Sequence, residues 1–141
     1  MTPIEYVDSR IGTPYQVNGR GPDSFDCFGL VADFYRNVLG QELGIEFEEM
    51  PEEWYQDHSY SDYKKMLLSE NTYLIESPEP YCIVLLSIRG DLIDHIGVYL
   101  GEDKVLNTSE ANGVFVVRLS ALKRFKKLRG YARLKTRVDP H

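Results

Sequence analysis

Apolar residues recur at helical spacing in the N-terminal part of the chain. Leu30, Phe34 and Val38 fall four residues apart, and Val31 and Tyr35 lie next to them. This spacing is typical of an amphipathic helix, because side chains four positions apart share one helical face. We therefore expect a helix that is buried over a wide face.

Cap and loop residues frame this helix. Ser24 or Asp26 can cap its start, because a side-chain oxygen there accepts from unpaired backbone N–H groups, and Gly40 can end it. Residues 12–23 are rich in glycine and proline and are therefore expected to form a loop. A shorter helix is predicted over residues 4–10.

The pattern changes after residue 81 to short apolar runs that are separated by turn residues. Such runs are typical of strands in an antiparallel meander. The predicted strands are 82–88, 95–100, 104–106, 114–119 and 128–134. A short helix is expected over residues 121–127, between the last two strands. Helices followed by a run of strands predict an α+β fold, and the length suits a single domain over residues 1–141.

Residues 41–80 are an acidic, aromatic excursion within that domain. Eight acids and no lysine or arginine lie between Glu42 and Asp62, and Trp54 lies in the same segment with several tyrosines. Two interpretations remain open. The segment is either a surface excursion packed on the domain, or a lid or partner-docking face, because aromatic residues are enriched at protein interfaces.

The net charge of the chain bears on which kinds of partner it can bind. The formal charge is −6 and the isoelectric point is about 5.1, which argues against nucleic acid as the main partner. Nine basic residues and no acid lie between Arg118 and Arg137. This basic run either forms a solvated face that attracts the acidic segment, or contacts an anionic polymer or partner.

The sequence shows no pattern for a membrane span or a secretory signal. No apolar run approaches the roughly 20 residues that a spanning helix needs. The N-terminus has neither a basic nor an apolar signal region. We therefore expect synthesis in the cytoplasm, with no membrane span, and a non-classical route or assembly into a virion if the protein acts on a cell wall.

The two cysteines lie in different surroundings. Cys82 lies in the apolar run YCIVLL and is expected to be a small core residue. Cys27 lies in the first turn of the predicted long helix, where unpaired N–H groups and the helix dipole favour a thiolate. Gly29 leaves space beside the thiol. Cys27 is therefore either a catalytic nucleophile or a buried helix cysteine without chemistry.

A cysteine nucleophile needs a base, and the base needs an orienting group. His141 is terminal and His58 lies in the polar segment, whereas His95 begins an apolar strand beside a loop. A tight turn at residues 101–103 makes the next strand antiparallel. Asn107 then comes opposite or nearly opposite His95, where it can fix the tautomer. Purely structural roles for His95 and Asn107 remain the alternatives.

Two segments together resemble a known family. The motif GTPY at residues 12–15, followed by GRGPDSFDCFGLV at residues 19–31, resembles the nucleophile motif of the NlpC family. The segments HIGVYLG at residues 95–101 and VLN at residues 105–107 resemble its base-and-orienter hairpin. The resemblance implies a papain-like α+β fold and cysteine-dependent cleavage of amide bonds in peptidoglycan stem peptides.

The resemblance also implies roles for individual residues. Cys27 is implied as the nucleophile, His95 as the base and Asn107 as the orienting residue. Tyr15 matches a family tyrosine that helps to form the oxyanion site with the backbone N–H of Cys27, and Asp26 is assigned to the same oxyanion and substrate region. No metal or cofactor is expected.

Three positions depart from the pattern of cell-wall members. Phe28 follows the nucleophile where serine is usual, and this resembles the tailed-phage tail-assembly branch. Asn107 stands where histidine is most frequent, and residues 88–94 replace a shorter linker. We therefore expect a phage or prophage tail-associated cell-wall hydrolase, with phage tail proteins as partners.

Two alternatives to this function remain. The chain is instead a non-catalytic phage tail structural or binding module that keeps the fold, or a related amidase or acyltransferase that uses the same three residues. Thiol reactivity of Cys27 separates the first alternative, and product analysis separates the second.

Overall fold

The computed structural model describes residues 1–43, 72–88 and 93–135. Most of the acidic excursion lies outside these ranges, and so do His58 and His141. The alternative that the excursion is a lid or a partner-docking face therefore concerns residues outside the described part of the chain.

Cap residues mark the ends of the N-terminal helices. The first three helical segments are α1 (Pro3–Arg10), α2 (Cys27–Phe34) and a π-helical segment (Tyr35–Leu39) that continues α2. Thr2 and Glu5 form a capping box at the start of α1. Gly40 ends the π-helical segment in the left-handed region, with φ of 65°. Within the described ranges, no helix is long and apolar enough to cross a membrane.

The strands form one antiparallel sheet. They are β1 (Thr72–Ile75), β2 (Ile83–Ser87), β3 (His95–Gly101), β4 (Lys104–Ser109), β5 (Gly113–Arg118) and β6 (Lys127–Leu134), with α3 (Leu119–Phe125) between the last two. The strand order is β1-β6-β2-β3-β4-β5. The predicted α+β class is therefore confirmed, and the elements from β2 to β5 form the predicted meander.

The sheet differs from the sequence prediction at two places. The prediction had five strands, but β1 adds a sixth, which was hidden because Tyr73 and Leu74 are 48% and 73% exposed and form no buried run. β6 does not follow β5 in the sheet. It returns to pair with both β2 and β1, because α3 carries the chain back across the sheet.

The sheet has a buried layer on each face. On one face, α2 packs over β3 and β4. The buried cluster on this face contains Cys27 and also takes in Tyr6 of α1 and apolar side chains of β2. On the other face, Leu119 and Leu122 of α3 pack over a second cluster that contains Cys82. The prediction that Cys82 is a small core residue is therefore confirmed.

The loop before α2 also covers one edge of the sheet. The N–H of Gly12 donates to the carbonyl of Val114 over 2.9 Å, and the N–H of Val114 donates to the carbonyl of Thr13 over 2.9 Å. A Cβ added to Gly113 would lie 2.4 Å from the Thr13 carbonyl oxygen, so glycine is required at this close approach. The chain that leads to Cys27 is thereby fixed to β5.

Candidate active site

Asp26 sets the start of the helix that carries Cys27. Its side chain accepts from the N–H of Gly29 over 2.6 Å, and its carbonyl accepts from the N–H of Leu30 over 3.0 Å. Asp26, and not Ser24, is therefore the N-cap. Cys27 becomes the first residue of α2, where backbone N–H groups have no partner within the helix.

The loop over residues 12–23 presses directly on the first turn of α2. The N–H of Asp26 donates to the carbonyl of Gly19 over 3.0 Å. A Cβ on Gly29 would lie 2.0 Å from the same carbonyl oxygen. Glycine at position 29 is therefore required by the close packing of the loop, and the space that it was expected to leave beside the thiol stays a prediction.

Tyr15 lies on a segment that flanks Cys27. It forms an isolated parallel bridge with Phe25, two residues before Cys27. The N–H of Phe25 donates to the carbonyl of Pro14 over 3.0 Å, and the N–H of Gln16 donates to the carbonyl of Phe25 over 3.3 Å. The backbone thus holds Tyr15 in a fixed relation to the start of α2. Its role at the oxyanion site stays a prediction.

His95 and Asn107 contact each other in the sheet. Nε2 of His95 lies 3.3 Å from Oδ1 of Asn107, and the two residues are 5% and 0% exposed. The structure therefore brings together the two residues that the sequence analysis paired, and their roles as base and orienting residue stay predictions. When the Asn107 oxygen accepts, Nε2 carries the proton and Nδ1 is left as the basic nitrogen.

The His95–Asn107 contact is diagonal. Val98 pairs with Leu106, so one step along the two strands places Gly97, rather than His95, beside Asn107. A Cβ on Gly97 would lie 3.3 Å from the Cβ of Asn107 and 2.8 Å from the Leu106 carbonyl oxygen. The absence of a side chain at position 97 leaves the gap across which the two side chains meet.

Asp94 anchors the start of β3. Its N–H donates to the carbonyl of Leu86 over 3.1 Å, and its carboxylate accepts from the N–H of Ile88 over 2.6 Å. Leu86 is also the strand partner of His95. Contacts with β2 and with Ile88, which follows it, therefore fix the position at which β3 begins with His95.

Lys126 links the two halves of the site electrostatically. It follows α3 and is half-buried, and burial lowers the pKa of its ammonium group, while the nearby Cys27 and Asp94 raise that pKa. The start of α2 and the residue before His95 therefore lie near the same cation. Sequence analysis missed this residue, because Lys126 is one of nine basic residues in a segment of 20 residues that contains no acid.

Arg20 is a second residue that the sequence analysis missed. One guanidinium nitrogen lies 2.7 Å from Oδ2 of Asp26. Both carboxylate oxygens of Asp26 are thus occupied, one by Arg20 and the other by the N–H of Gly29. This geometry favours a structural role for Asp26 at the helix start, and its contact with substrate stays a prediction.

Cys82 differs from Cys27 in its surroundings. Burial raises the pKa of the Cys82 thiol, with Glu79 and Arg133 as nearby charges. Such a thiol stays protonated and unreactive. Within the described ranges, no group of three or more His, Cys, Asp or Glu residues has an arrangement that could hold a metal ion.

Solved structures share this fold. The NlpC/p60 domain of peptidoglycan hydrolase SagA aligns with a TM-score of 0.57 at 17% identity, over 94% of this chain and 95% of that one. NlpC1 from Trichomonas vaginalis aligns with a TM-score of 0.62 at 22% identity, over 94% of this chain but 43% of that one. The P60 domain of the M. avium subspecies paratuberculosis antigen MAP1204 aligns with a TM-score of 0.52 at 18% identity, over 98% of this chain and 93% of that one.

Sequence comparisons give the family. No curated protein sequence matches the chain significantly. The model of the NlpC/P60 family matches residues 12–131, which include Cys27, His95 and Asn107. Because this match covers well over half of the 141 residues, the chain belongs to the NlpC/P60 family of cysteine peptidases and hydrolases of the cell wall.

Proposed function

We propose that this family member is a cysteine peptidase that hydrolyses amide bonds in the stem peptides of peptidoglycan. Cys27 is the nucleophile, His95 is the base and Asn107 orients His95. The observation that carries the proposal is the His95–Asn107 contact of 3.3 Å in a sheet that packs against the helix beginning at Cys27. The name of one solved relative, a peptidoglycan hydrolase, supports the substrate class.

The first half of the reaction forms a thioester. Nδ1 of His95 takes the proton from the Cys27 sulfur, and the thiolate attacks the carbonyl carbon of the substrate amide. The resulting oxyanion accepts from the backbone N–H of Cys27 and the hydroxyl of Tyr15, and one such donor is worth about 3 kcal/mol. His95 returns its proton to the amide nitrogen as the C–N bond breaks, and an amine leaves.

The second half releases the acyl group. Water attacks the thioester carbonyl and gives a proton to Nδ1 of His95, so that the same nitrogen serves as base twice. The C–S bond then breaks, the substrate acyl group leaves as a carboxylic acid, and the thiolate recovers the proton from His95. Asn107 keeps its oxygen on Nε2 throughout, which maintains the tautomer that both steps need.

The decisive experiment follows product formation by mass spectrometry. Purified peptidoglycan and isolated stem peptides are incubated with the wild-type chain, with Cys27→Ala and with Cys82→Ala as the matched control. New peptide fragments from the wild type and Cys82→Ala, but not from Cys27→Ala, are expected. Their masses identify the bond that is cleaved.

Other outcomes discriminate the alternatives. Intact peptides together with slow alkylation of Cys27 would favour a non-catalytic module that keeps the fold. Intact peptides with fast alkylation of Cys27 would favour a different substrate. Hydrolysis of the amide bond between the stem peptide and its sugar would identify an amidase. Transfer of an acyl group to an added amine would identify an acyltransferase.

The finer proposal is that the protein acts with a phage or prophage tail. It is supported by Phe28, which follows the nucleophile as in the tail-assembly branch and whose side chain is buried. Co-purification with tail particles from an induced host, detected by mass spectrometry, would support this setting. A chain found only in the wall fraction of uninfected cells would contradict it.

A further inference from the structure

The ion pair between Arg20 and Asp26 lies directly beside the nucleophile. Oδ2 of Asp26 is 2.7 Å from Nη1 of Arg20, and the side chains are 1% and 20% exposed, respectively. Nη1 of Arg20 also donates to the carbonyl of Gly19 over 3.3 Å. The same carbonyl accepts from the N–H of Asp26, so Arg20 ties the loop to the helix start at two points.

We propose that Arg20 is a positioning residue that acts on Cys27 through the Asp26 carboxylate. The inference rests on the proposed function for its effect on turnover, but not for its effect on the thiol. Arg20 holds the capping side chain of Asp26, and through it the first turn of α2 that aims the Cys27 sulfur and N–H.

The ion pair also has an electrostatic consequence for the thiol. Asp26 adjoins Cys27 in sequence, and its buried carboxylate disfavours a second negative charge nearby. The guanidinium neutralises this carboxylate, so the thiolate forms against less repulsion. A buried carboxylate that loses a close cation becomes more costly to keep charged, and Arg20 is a cation in direct contact with Asp26.

Other groups act on the same thiol and must be held constant. His95 supplies the base from β3, and Asp94 precedes it. Lys126, after α3, has Cys27 and Asp94 as its nearby anions. None of these three groups is altered by a substitution at Arg20, so a change in thiol behaviour in such a variant reports on the Asp26 carboxylate.

The test measures the rate of Cys27 alkylation by iodoacetamide against pH, with the modified peptide identified by mass spectrometry. Arg20→Met is expected to raise the midpoint, the pH at which the alkylation rate is half-maximal, by on the order of one pH unit. Arg20→Lys is expected to keep the wild-type midpoint, because it keeps the charge. Arg133→Met, which breaks the exposed pair of Arg133 with Glu79, is the matched control and is expected to move nothing.

A second substitution separates the charge effect from misfolding. Asn caps a helix as well as Asp does, so Asp26→Asn combined with Arg20→Met removes the unpaired charge and keeps the cap. This double variant is expected to restore the wild-type midpoint. Circular dichroism of each variant checks that the fold is retained.

Turnover of stem peptides supplies the second readout. Arg20→Met is expected to lower kcat by roughly 10–100-fold with little change in KM, because a misplaced nucleophile affects the chemical step. An unchanged alkylation midpoint in a folded Arg20→Met variant would overturn the proposal. Because alkylation needs no substrate, it tests Arg20 even when no peptidoglycan cleavage is found, and the proposed function then fails separately.

Discussion

At the scale of single residues, Asn107 is the group whose contacts say most about catalysis. Its Oδ1 meets His95, but within the described part of the chain its buried Nδ2 has no hydrogen-bond partner. A buried donor without a partner costs about 1–3 kcal/mol. Placing a neutral acceptor on His95, the proposed base, therefore costs the chain some stability.

A substitution at Asn107 tests this role. Asn107→Asp keeps an acceptor for Nε2 of His95 and removes the unpaired donor, so it is expected to retain peptide cleavage. Asn107→Leu keeps the volume but lets the ring choose either tautomer, and kcat is expected to fall about 100-fold. Steady-state kinetics on the cleaved stem peptide check both. Equal loss in the two variants would mean that accepting from Nε2 of His95 is not the role of Asn107.

Lys126 gives a second prediction at this scale. Its ammonium lies near Cys27 and Asp94 and therefore favours the thiolate. Lys126→Met is expected to slow Cys27 alkylation at pH 7 by roughly 3–10-fold, and Lys126→Arg is expected to preserve it. Lys123→Met, on the exposed face of α3, is the matched control. A Lys126→Met variant that alkylates at the wild-type rate would contradict the electrostatic role.

The sequence singles out the proposed nucleophile and base more clearly than the residues around them. Cys27 stands out because it lies at the start of a helix, and His95 because it lies at the start of a strand. Local sequence patterns predict both positions. Arg20 and Lys126 do not stand out, since their partners come from contacts that no local spacing encodes. Asp26 was predicted as a substrate residue, but only the folded loop reveals that Arg20 occupies its carboxylate.

At the scale of elements, the β3–β4 pair depends on Gly97. A Cβ at this position would lie 2.8 Å from the Leu106 carbonyl oxygen and 2.9 Å from a methyl group of Val105. Gly97→Ala therefore has to push the strands apart. This also increases the distance between His95 and Asn107.

Two measurements check the prediction for Gly97. The free energy of unfolding in urea is expected to fall by about 1–3 kcal/mol in Gly97→Ala, and peptide cleavage is expected to fall further than the folded fraction does. Gly40→Ala is the control, because it strains a left-handed helix end far from β3 and is expected to cost about 1 kcal/mol without affecting kcat. Full activity in a folded Gly97→Ala chain would show that the gap is not needed.

The elements themselves were predictable where burial imposes a period. The meander from β2 to β5 follows from alternating apolar runs and turns, and α2 follows from its apolar face. β4 was predicted too short, because the polar residues Asn107 and Thr108 are buried in the strand. The pairing of β6 with β2 was not predictable, because local patterns do not encode which strands of a sheet are neighbours.

At the scale of the whole molecule, buried tyrosines join the helices to one another and to the sheet. The hydroxyl of Tyr35 donates to the carbonyl of Tyr81, at the entrance to β2. The hydroxyl of Tyr6 donates to Asp33 over 2.7 Å, which joins α1 to α2. Burial is the main cause that raises the pKa of both Tyr6 and Tyr35, and Asp33 adds to it for Tyr6.

These shifts give stability a defined dependence on pH. The unfolded chain loses phenol protons near the ordinary pKa of 10.0, while the folded chain keeps them on Tyr6 and Tyr35. The stabilisation is therefore complete below pH 10 and is lost as the pH rises above it, by about 1.4 kcal/mol per pH unit for each buried phenol. Urea unfolding between pH 7 and pH 11 measures the slope.

Single substitutions assign the slope. Tyr35→Phe is expected to lower stability at pH 7 by about 1–3 kcal/mol, because the Tyr81 carbonyl loses its donor, and to make the alkaline slope shallower. Tyr73→Phe removes an exposed phenol on β1 and is expected to leave the slope unchanged. An identical slope in Tyr35→Phe and the wild type would exclude Tyr35 as a source.

The contact between the loop and β5 links the protection of two backbone amides to the position of Cys27. The amides of Gly12 and Val114 are protected by the same pair of backbone hydrogen bonds, and the loop that contains Gly12 continues to Cys27. Local opening of this loop is therefore expected to expose both amides to hydrogen exchange and to release Cys27 from its fixed position. The opening free energy that exchange gives for these two amides would then report the fraction of time that Cys27 is held in place.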